Sequence, residues 1–418
     1  MNVVKTKGNR IFFGWWIVIS AFFIFMTTSA LLFTGFGAYF IFIQKEMMWS
    51  KTLISGAFSM SRMESGIVGP IQGWLVKKIG PRLVIQIGIV ILAAGFMLFS
   101  KIDSIFDFYV VFFFMSLGLS LAGYLTISTS LINWFERKRA TALGISNSGS
   151  ALGGLMVPIV AWSLVNFGWR DTAFYSGILT LIILLPASLL IRKAPEEYGL
   201  FPDGDLDKRI DIPKQQEANR PRTNDLSLKQ ALRTSAFWYT SLGHASALFV
   251  VSAMMLHLIP YIVDNIGVSV QSAALVAAAM TGVQLFGQLS GGFLSDRVEK
   301  RKVIVICMFG HVITPIGLAF TTSLPLIFFL VILHGLSWGV RGPLMAAIRA
   351  DYFGRSSFAT IMGFSSMIAM IGMIIGPLIA GLSADFLGSY RWGFFILGIF
   401  PALGAACFYL AKNPIHYR

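Results

Sequence analysis

The sequence predicts an all-α integral membrane protein of twelve transmembrane helices, arranged as two pseudo-symmetric six-helix bundles. Apolar residues make up 56% of the 418-residue chain and charged residues 12%, a balance that a soluble domain of this length could not keep in solution. Long apolar runs recur along the chain, and one signature appears once in each half. Composition, runs and repeat together predict this fold class.

Twelve apolar runs approach or exceed about 20 residues, the length that crosses a hydrocarbon layer of about 30 Å. They are continuously apolar rather than alternating, which predicts helices and argues against a β-barrel. The predicted spans are residues 14–42, 52–76, 82–100, 106–133, 140–166, 171–191, 236–262, 269–295, 303–322, 324–350, 357–383 and 391–412.

The repeated signature marks the end of an apolar run in each half. It reads GWLVKKIGPR at Gly73–Arg82 and GFLSDRVEKR at Gly292–Arg301, 219 residues apart. Other landmarks recur at nearly the same shift, among them Arg170 and Arg391. Duplicated helical units are typical of carriers whose substrate site lies between two halves. Transport is therefore the first hypothesis.

The distribution of basic residues predicts the orientation in the membrane. The net charge is +14, and 26 of the 33 lysines and arginines fall in the termini and loops on one side of the predicted spans. Cytoplasmic loops carry such an excess, so both termini of this multi-pass protein are expected on the cytoplasmic side of the plasma or inner membrane. Membrane orientation then accounts for the net positive charge, so no nucleic-acid partner is expected. The basic loops are expected to contact anionic lipid.

One polar segment divides six spans from six. Residues 192–234 hold nine basic and eight acidic residues and four prolines. The expected domains are an N-terminal bundle over 1–191, a cytoplasmic linker over 192–234 and a C-terminal bundle over 235–418. Late in the linker, Leu228, Ala231 and Leu232 fall at helical spacing, which predicts a short amphipathic helix before the seventh span.

The signature resembles the loop motif of the major facilitator superfamily, Gly-x-Leu-x-Asp-Arg-x-Gly-Arg-(Arg/Lys). The second copy matches it at Gly292, Asp296, Arg297 and Arg301. The resemblance covers essentially the whole chain. Within the superfamily, the segments WFERKRATALG, PEEYGLFPDG and RADYFG are similar to prokaryotic relatives of the monocarboxylate and oxalate–formate transporters.

The first copy of the signature departs from the motif. It keeps Gly73 and Arg82 but has Lys77 where the family has aspartate. In such a motif the glycines allow close approach, and the acid can sit at a neighbouring helix N-terminus. We expect both copies to act as a conformational latch between the halves, with the acid-dependent part in the second copy. The alternative is that the loops are simply basic anchors.

Arg62 and Glu64 are charged residues about midway along the second predicted span. Two residues apart on a helix, their side chains point about 200° apart, so they are not expected to pair with each other. A charge at mid-membrane costs roughly 2.5–3.5 kcal/mol on insertion scales, which favours a functional role. Burial favours the protonated form of a carboxyl group, so proton coupling by Glu64, with Arg62, is expected. A structural contact with another helix is the alternative.

Arg341 is the third deeply placed charge. His334, Trp338 and Arg341 share one face of the tenth predicted span, at steps of four and three residues. The family resemblance implies that the first, fourth, seventh and tenth helices surround a central cavity, so this face is the leading candidate substrate surface. A guanidinium suits a carboxylate because its fork matches two oxygens. The alternative is that Arg341 braces this span against a neighbour.

Polar side chains on other inner spans complete the predicted substrate site: Tyr39, Tyr124, His244, Gln284 and Gln288. For the histidine and the tyrosines, packing is the alternative. The monocarboxylate branch has an arginine where this chain has Gln288, and a neutral amide binds a carboxylate less strongly. Either Arg341 or Arg62 supplies the missing charge, or the substrate is not a simple monocarboxylate.

The predicted function is secondary active transport of a small organic anion, most simply a monocarboxylate, by alternating access with proton coupling. Efflux of amphipathic drug-like compounds and a transporter-like sensor are the alternatives. The sequence has no GxxxxGK[ST] phosphate loop, which argues against ATP-driven pumping, and Cys307 and Cys407 lie in apolar spans, so no metal or other cofactor is expected. The three central charges are dispersed over two predicted helices rather than clustered, so no enzyme activity is expected. His311, on an outer span, is expected to be a packing group. A monomer is expected.

Overall fold

The computed structural model describes residues 12–135, 138–204, 226–294, 298–354 and 358–414, and this part of the chain is almost entirely helical. The N-terminal half, residues 12–204, contains α1 (Gly14–Thr28), α2 (Phe36–Met47), α3 (Lys51–Ile79), α4 (Pro81–Phe99), α5 (Ile105–Leu121), α6 (Tyr124–Trp134), α7 (Arg139–Leu155) and α8 (Val157–Ser188). The C-terminal half, residues 226–414, contains α9 (Leu228–Leu232), α10 (Ser235–Ile266), α11 (Val270–Leu294), α12 (Lys300–Phe320), α13 (Leu324–Phe353), α14 (Phe358–Phe386) and α15 (Arg391–Leu410).

The helical segments supply the twelve predicted spans. Ten described segments are long and apolar enough to cross a membrane. One of them, Thr141–Ser188, has 48 residues and would be about 72 Å long if straight, more than twice the hydrocarbon thickness. Gly168 divides it with a φ of 76°, a left-handed conformation that glycine adopts without strain. The 29-residue helix α3, which packs against α5 and α14, supplies the remaining span. The predicted fold class is confirmed.

Two of the predicted spans are interrupted. A π-helical turn, Ser29–Phe33, separates α1 from α2 within the first span, and Ala122 and Gly123 separate α5 from α6 within the fourth. Such π-helical turns occur frequently at functional sites because they re-aim side chains. Both interruptions border the central cavity described below.

The linker is partly described. Its first part forms two short 3₁₀ turns, Pro195–Tyr198 and Pro202–Gly204, while residues 205–225 lie outside the described ranges. The predicted amphipathic helix is α9. Ser227 begins it with a capping box, in which the Ser227 hydroxyl accepts from the Gln230 N–H and the Gln230 side chain accepts from the Ser227 N–H.

Candidate functional site

Two adjoining cavities lie between the halves. The larger, of about 470 Å³, is walled mainly by the N-terminal half, with Met370 contributed by α14. Its polar lining consists of Thr28, Ser29, Arg62, Ser65, Gln72, Ser120, Tyr124, Asn147 and Ser150. The smaller, of about 110 Å³, shares Ser29, Phe33, Asn147 and Ser150 with it and extends to Thr281, Gln284, Gln288 and Trp338 of the C-terminal half.

Arg62 brings a positive charge to the wall of the larger cavity. Its Cζ atom lies 4.3 Å from the ring centroid of Phe33 and 4.6 Å from that of Phe58, so two aromatic rings hold the guanidinium. Such contacts contribute about 0.5–2 kcal/mol each. The Nε atom is buried without an acceptor, and no carboxylate among the described residues bonds to the guanidinium. Arg62 therefore presents a fixed charge with hydrogen-bond donors still free.

Glu64 lies just behind the same wall. Its Oε2 atom accepts hydrogen bonds from the hydroxyls of Ser120, at 3.0 Å, and Ser65, at 3.4 Å, while Oε1 is buried without a partner. Glu64 and Arg62 do not bond to each other, in agreement with their spacing on the helix. Both serines line the cavity, so one hydroxyl separates the carboxyl group from it. Among the described residues no cation is paired with the carboxyl, and it can therefore hold a proton.

Arg341 lies off the cavity walls, within a group that we call the Arg341 cluster: Arg341, His244, His311 and His334. Its Nη1 atom is 2.7 Å from Nδ1 of His244, and its Nε donates to Nε2 of His311 at 3.3 Å. The Nδ1 atoms of His311 and His334 are 3.1 Å apart. Arg341 is 1% exposed, and His311 and His334 are 0% exposed. His311 is a buried group that hydrogen-bonds within this cluster, which agrees with the expected packing role, and the helix α12 that carries it packs against α13.

Arg349 is a buried charge, although the sequence places it among the basic residues at the cytoplasmic end of the tenth predicted span. The helix α13 continues to Phe353, beyond the predicted end at 350, and Arg349 is 1% exposed within it. Its guanidinium donates to Ser365 Oγ at 3.0 Å and to the carbonyl oxygens of Met345 and Thr240 at 2.9 and 3.3 Å. The arginine is thus satisfied by neutral acceptors.

The predicted substrate residues divide into two groups. Tyr124, Gln284, Gln288 and Trp338 line the cavities. His244, His334 and Arg341 form the Arg341 cluster behind the walls, and Tyr39 is buried 3.3 Å from Ser176 Oγ within the N-terminal half. The lining residues Gln72, Asn147 and Phe33 were not predicted. Their signal in the sequence is weak, since single amides and aromatics occur throughout such helices.

The predicted latch is described only in part. Lys77 and Arg82 are exposed at the ends of α3 and α4, and a Cβ atom added at Gly73 would meet nothing within 4 Å. In the second copy, Gly292 lies near the end of α11, and Asp296 and Arg297 lie outside the described residues. Arg301 pairs with Glu299 at 3.2 Å and donates to the Tyr409 carbonyl at 3.4 Å, both within its own half. The latch stays a prediction.

The halves are joined at the end opposite the signature loops. The carboxylate of Asp385 accepts from the backbone N–H groups of Lys51, at 2.9 Å, and Thr52, at 2.6 Å, so it caps the N-terminus of α3 from the other half. The Lys51 ammonium pairs with Asp264 at 2.5 Å. Deeper in, Ser55 bonds to Nε2 of His257 at 2.9 Å. The side predicted to face outward is closed by these contacts.

Two helical bundles that enclose a polar cavity and are joined at one end define a membrane carrier. The sequence profile of the Major Facilitator Superfamily matches residues 17–282 and 240–417, and the chain belongs to this family. It is a multi-pass membrane protein that performs secondary transport of a small solute, and it is not an enzyme.

Curated relatives place the chain in the monocarboxylate-transporter-like branch. It is 25% identical to human monocarboxylate transporter 2 over 426 residues, which cover 97% of this chain and 87% of that protein. It is also 25% identical to the hexuronate transporter of Bacillus subtilis over 423 residues, 90% of this chain and 92% of the relative.

Solved structures share the fold. A bacterial homolog of the human lysosomal transporter Spinster, in an inward-facing and unoccupied conformation, superposes with a TM-score of 0.73 at 17% identity, covering 96% of this chain and 97% of that one. A nucleoside transporter variant superposes with a TM-score of 0.74 at 14% identity, covering 96% and 99%. At these identities the similarity concerns the fold alone.

Proposed function

We propose that this protein carries a small carboxylate across the cytoplasmic membrane together with protons. The observation that carries the proposal is Arg62: a guanidinium without a bonded carboxylate among the described residues, on the wall of a cavity between the two halves. A carboxylate offers two oxygens to such a fork, and charge-assisted hydrogen bonds are roughly twice as strong as neutral ones. The same group would repel a cationic member of the amphipathic compounds considered in the efflux alternative.

The cavity favours a hydroxylated carboxylate over a purely apolar one. Around Arg62, the wall carries hydroxyl and amide groups of Ser65, Gln72, Ser120 and Asn147. Hydroxyl groups on the substrate would find both donors and acceptors there, whereas an aliphatic chain would leave these groups unpaired at a cost of about 1–3 kcal/mol each. Hexuronate, named for one relative, is therefore the leading substrate class, with a short monocarboxylate such as lactate as the second candidate.

Glu64 is the proposed proton carrier in the N-terminal half. Its unpaired Oε1 and its two serine hydroxyls fit a carboxyl group that is protonated in one state and ionised in another. Because Ser65 and Ser120 also line the cavity, a substrate that rearranges these hydroxyls would alter the environment of the carboxyl group. By the positive-inside rule, the excess of basic residues in the signature loops, the linker and the termini supports a cytoplasmic location for that side of the protein.

Uptake by the purified protein in liposomes tests the proposal. Radiolabelled glucuronate and lactate are offered with the vesicle interior more alkaline than the outside, and ethidium serves as the probe for amphipathic efflux. We expect saturable glucuronate uptake that rises with the pH difference, and no ethidium transport. Ethidium transport without flux of either carboxylate would support the efflux alternative. Ligand-dependent stabilisation without flux of any probe would identify a sensor.

A further inference from the structure

The hydrogen bonds of the Arg341 cluster fix which ring nitrogens carry protons. An arginine side chain only donates, so Nδ1 of His244 and Nε2 of His311 must accept from it. His311 is then protonated on Nδ1 and donates to Nδ1 of His334. The proton of His334 is left on Nε2, which is buried and has no acceptor among the described residues. In this arrangement all three histidines are neutral.

The contact between Arg341 and His244 is incompatible with a proton on Nδ1 of His244. A proton on Nδ1 of His244 would set two N–H groups against each other at 2.7 Å. Arg349, whose guanidinium donates to the Thr240 carbonyl one turn before His244 on α10, is a second positive charge nearby. Of the titratable side chains on α12, His311 is neutral in this arrangement and Cys307 is a buried thiol. Within the described part of the chain, no carboxylate bonds to either arginine.

His244 is the histidine of the cluster that is not fully buried. His311 and His334 have no exposed surface, whereas His244 on α10 is only partly buried. It lies nine residues into a helix that begins at Ser235, which is about 14 Å from that end. Its Nδ1 lone pair is occupied only by Arg341 among the described residues.

We propose that Nδ1 of His244 is a proton-binding site in the C-terminal half and that Arg341 controls it, since the proton binds only when Arg341 leaves His244. The proton comes from water and adds to the nitrogen lone pair, and no other bond changes. The smaller cavity is close enough for Arg341 to move towards it. Trp338, three residues earlier on the same helix face, lines that cavity. An anion in that cavity would draw the guanidinium towards it and free His244. This link to transport rests on the function proposed above, but the proton site does not.

Nuclear magnetic resonance of the protein labelled with ¹³C at histidine Cε1 tests the proton site without any substrate. The chain has five histidines, and the His244 signal is the one lost in His244→Asn. We expect this signal to stay constant between about pH 8 and pH 5 in the wild type, and to titrate within that window in Arg341→Leu and Arg341→Met, because both variants free the Nδ1 lone pair and remove the adjacent charge. The His257 signal is the internal control, because its ring bonds to Ser55 and the Pro377 carbonyl and does not bond to Arg341. A His244 signal that titrates in the wild type, or stays constant in both variants, would overturn the proposal.

Accumulation of glucuronate in liposomes tests the coupling. With the membrane potential clamped at zero and a pH difference of about one unit, a monoanion is concentrated about tenfold for each proton carried with it, because one pH unit is a tenfold difference in proton activity. Protons at both Glu64 and His244 predict about 100-fold accumulation in the wild type, and about tenfold in either Glu64→Gln or His244→Asn. Asparagine keeps an acceptor for Arg341 at the position of Nδ1 but cannot take a proton.

The outcomes separate the two proposals. About 100-fold accumulation by His244→Asn would overturn the role of His244. Tenfold accumulation by the wild type that is lost in His244→Asn would support His244 and remove Glu64 from coupling. If neither glucuronate nor lactate is transported by the wild type, the proposed function fails, while the resonance measurement still decides whether Arg341 controls a proton site.

Discussion

Each half of this transporter holds an arginine deep in the membrane, and the two are stabilised in opposite ways. Arg62 lies between the rings of Phe33 and Phe58 at a cavity wall. Arg341 is sealed among histidine nitrogens, away from both cavities. A cation–π contact with a phenylalanine ring leaves the N–H donors of a guanidinium free. A hydrogen bond to a histidine nitrogen uses one of these donors. A buried positive charge is therefore not sufficient for substrate binding. The N–H donors of the guanidinium must also be free to bond to the substrate.

The largest expected effect comes from removing the available charge. Arg62→Gln should weaken glucuronate binding about 100-fold, because the loss of a charge-assisted bidentate contact costs about 3 kcal/mol. Arg192→Gln is the matched control. Its guanidinium also stacks on two rings, 3.7 Å from the centroid of Phe13 and 4.1 Å from that of Tyr198, but it lies outside the cavities. Calorimetric titration of both variants checks this, and equal affinities would end the special role of Arg62.

A second positive charge, on the cavity wall of the C-terminal half, should give both halves an available cation. Gln288 lines the smaller cavity from the C-terminal half. Gln288→Arg should raise the preference for glucarate, a dicarboxylate, over glucuronate about tenfold, since one further charge-assisted contact contributes about 1.5–3 kcal/mol. Competition for uptake measures the preference. Gln288→Met, which loses the amide without gaining charge, should leave the preference unchanged; the same shift in both variants would contradict an electrostatic cause.

Weakening the contact between the halves should favour the state open at the other end. Asp385→Asn removes the charge that caps α3, a contribution of about 0.5–2 kcal/mol and hence a shift of about two- to thirtyfold. A cysteine at Ser59, which is buried and donates to the Ile374 carbonyl, reports the opening through its reaction with an external maleimide. The two native cysteines are replaced first. Asp264→Asn, which removes only an ion pair at the surface, should have a smaller effect.

The smallest effect concerns the aromatic support of Arg62. Phe33→Leu removes one of the two rings and should weaken glucuronate binding about two- to fivefold, as expected for a cation–π contact of about 0.5–1 kcal/mol. Phe33→Tyr keeps the ring and should bind nearly as the wild type does. Unchanged affinity in Phe33→Leu would mean that Phe58 and the packing of α3 are sufficient to hold the guanidinium.

Length, hydropathy and the internal repeat were enough to predict the class of protein and most of its architecture. In a bilayer, a continuously apolar run can satisfy its backbone hydrogen bonds only as a helix. The twelve spans and the break near Gly168 therefore followed from length and hydropathy. The repeated signature predicted the two-fold organisation. The candidate charges Arg62, Glu64 and Arg341 were also evident, because ionisable residues are rare within apolar runs.

The surroundings of these charged groups could not be predicted without the three-dimensional fold. Helical periodicity gives the face of a residue, but which neighbour covers that face depends on packing between helices distant in sequence. It placed Arg341 against His244 and His311, from α10 and α12, rather than at the cavity wall. It also brought Phe33, from the π-helical turn, onto the guanidinium of Arg62, whose other ring, Phe58, lies one turn earlier on α3. Partners separated by many residues leave no local pattern, so the availability of each charge had to be read from the fold.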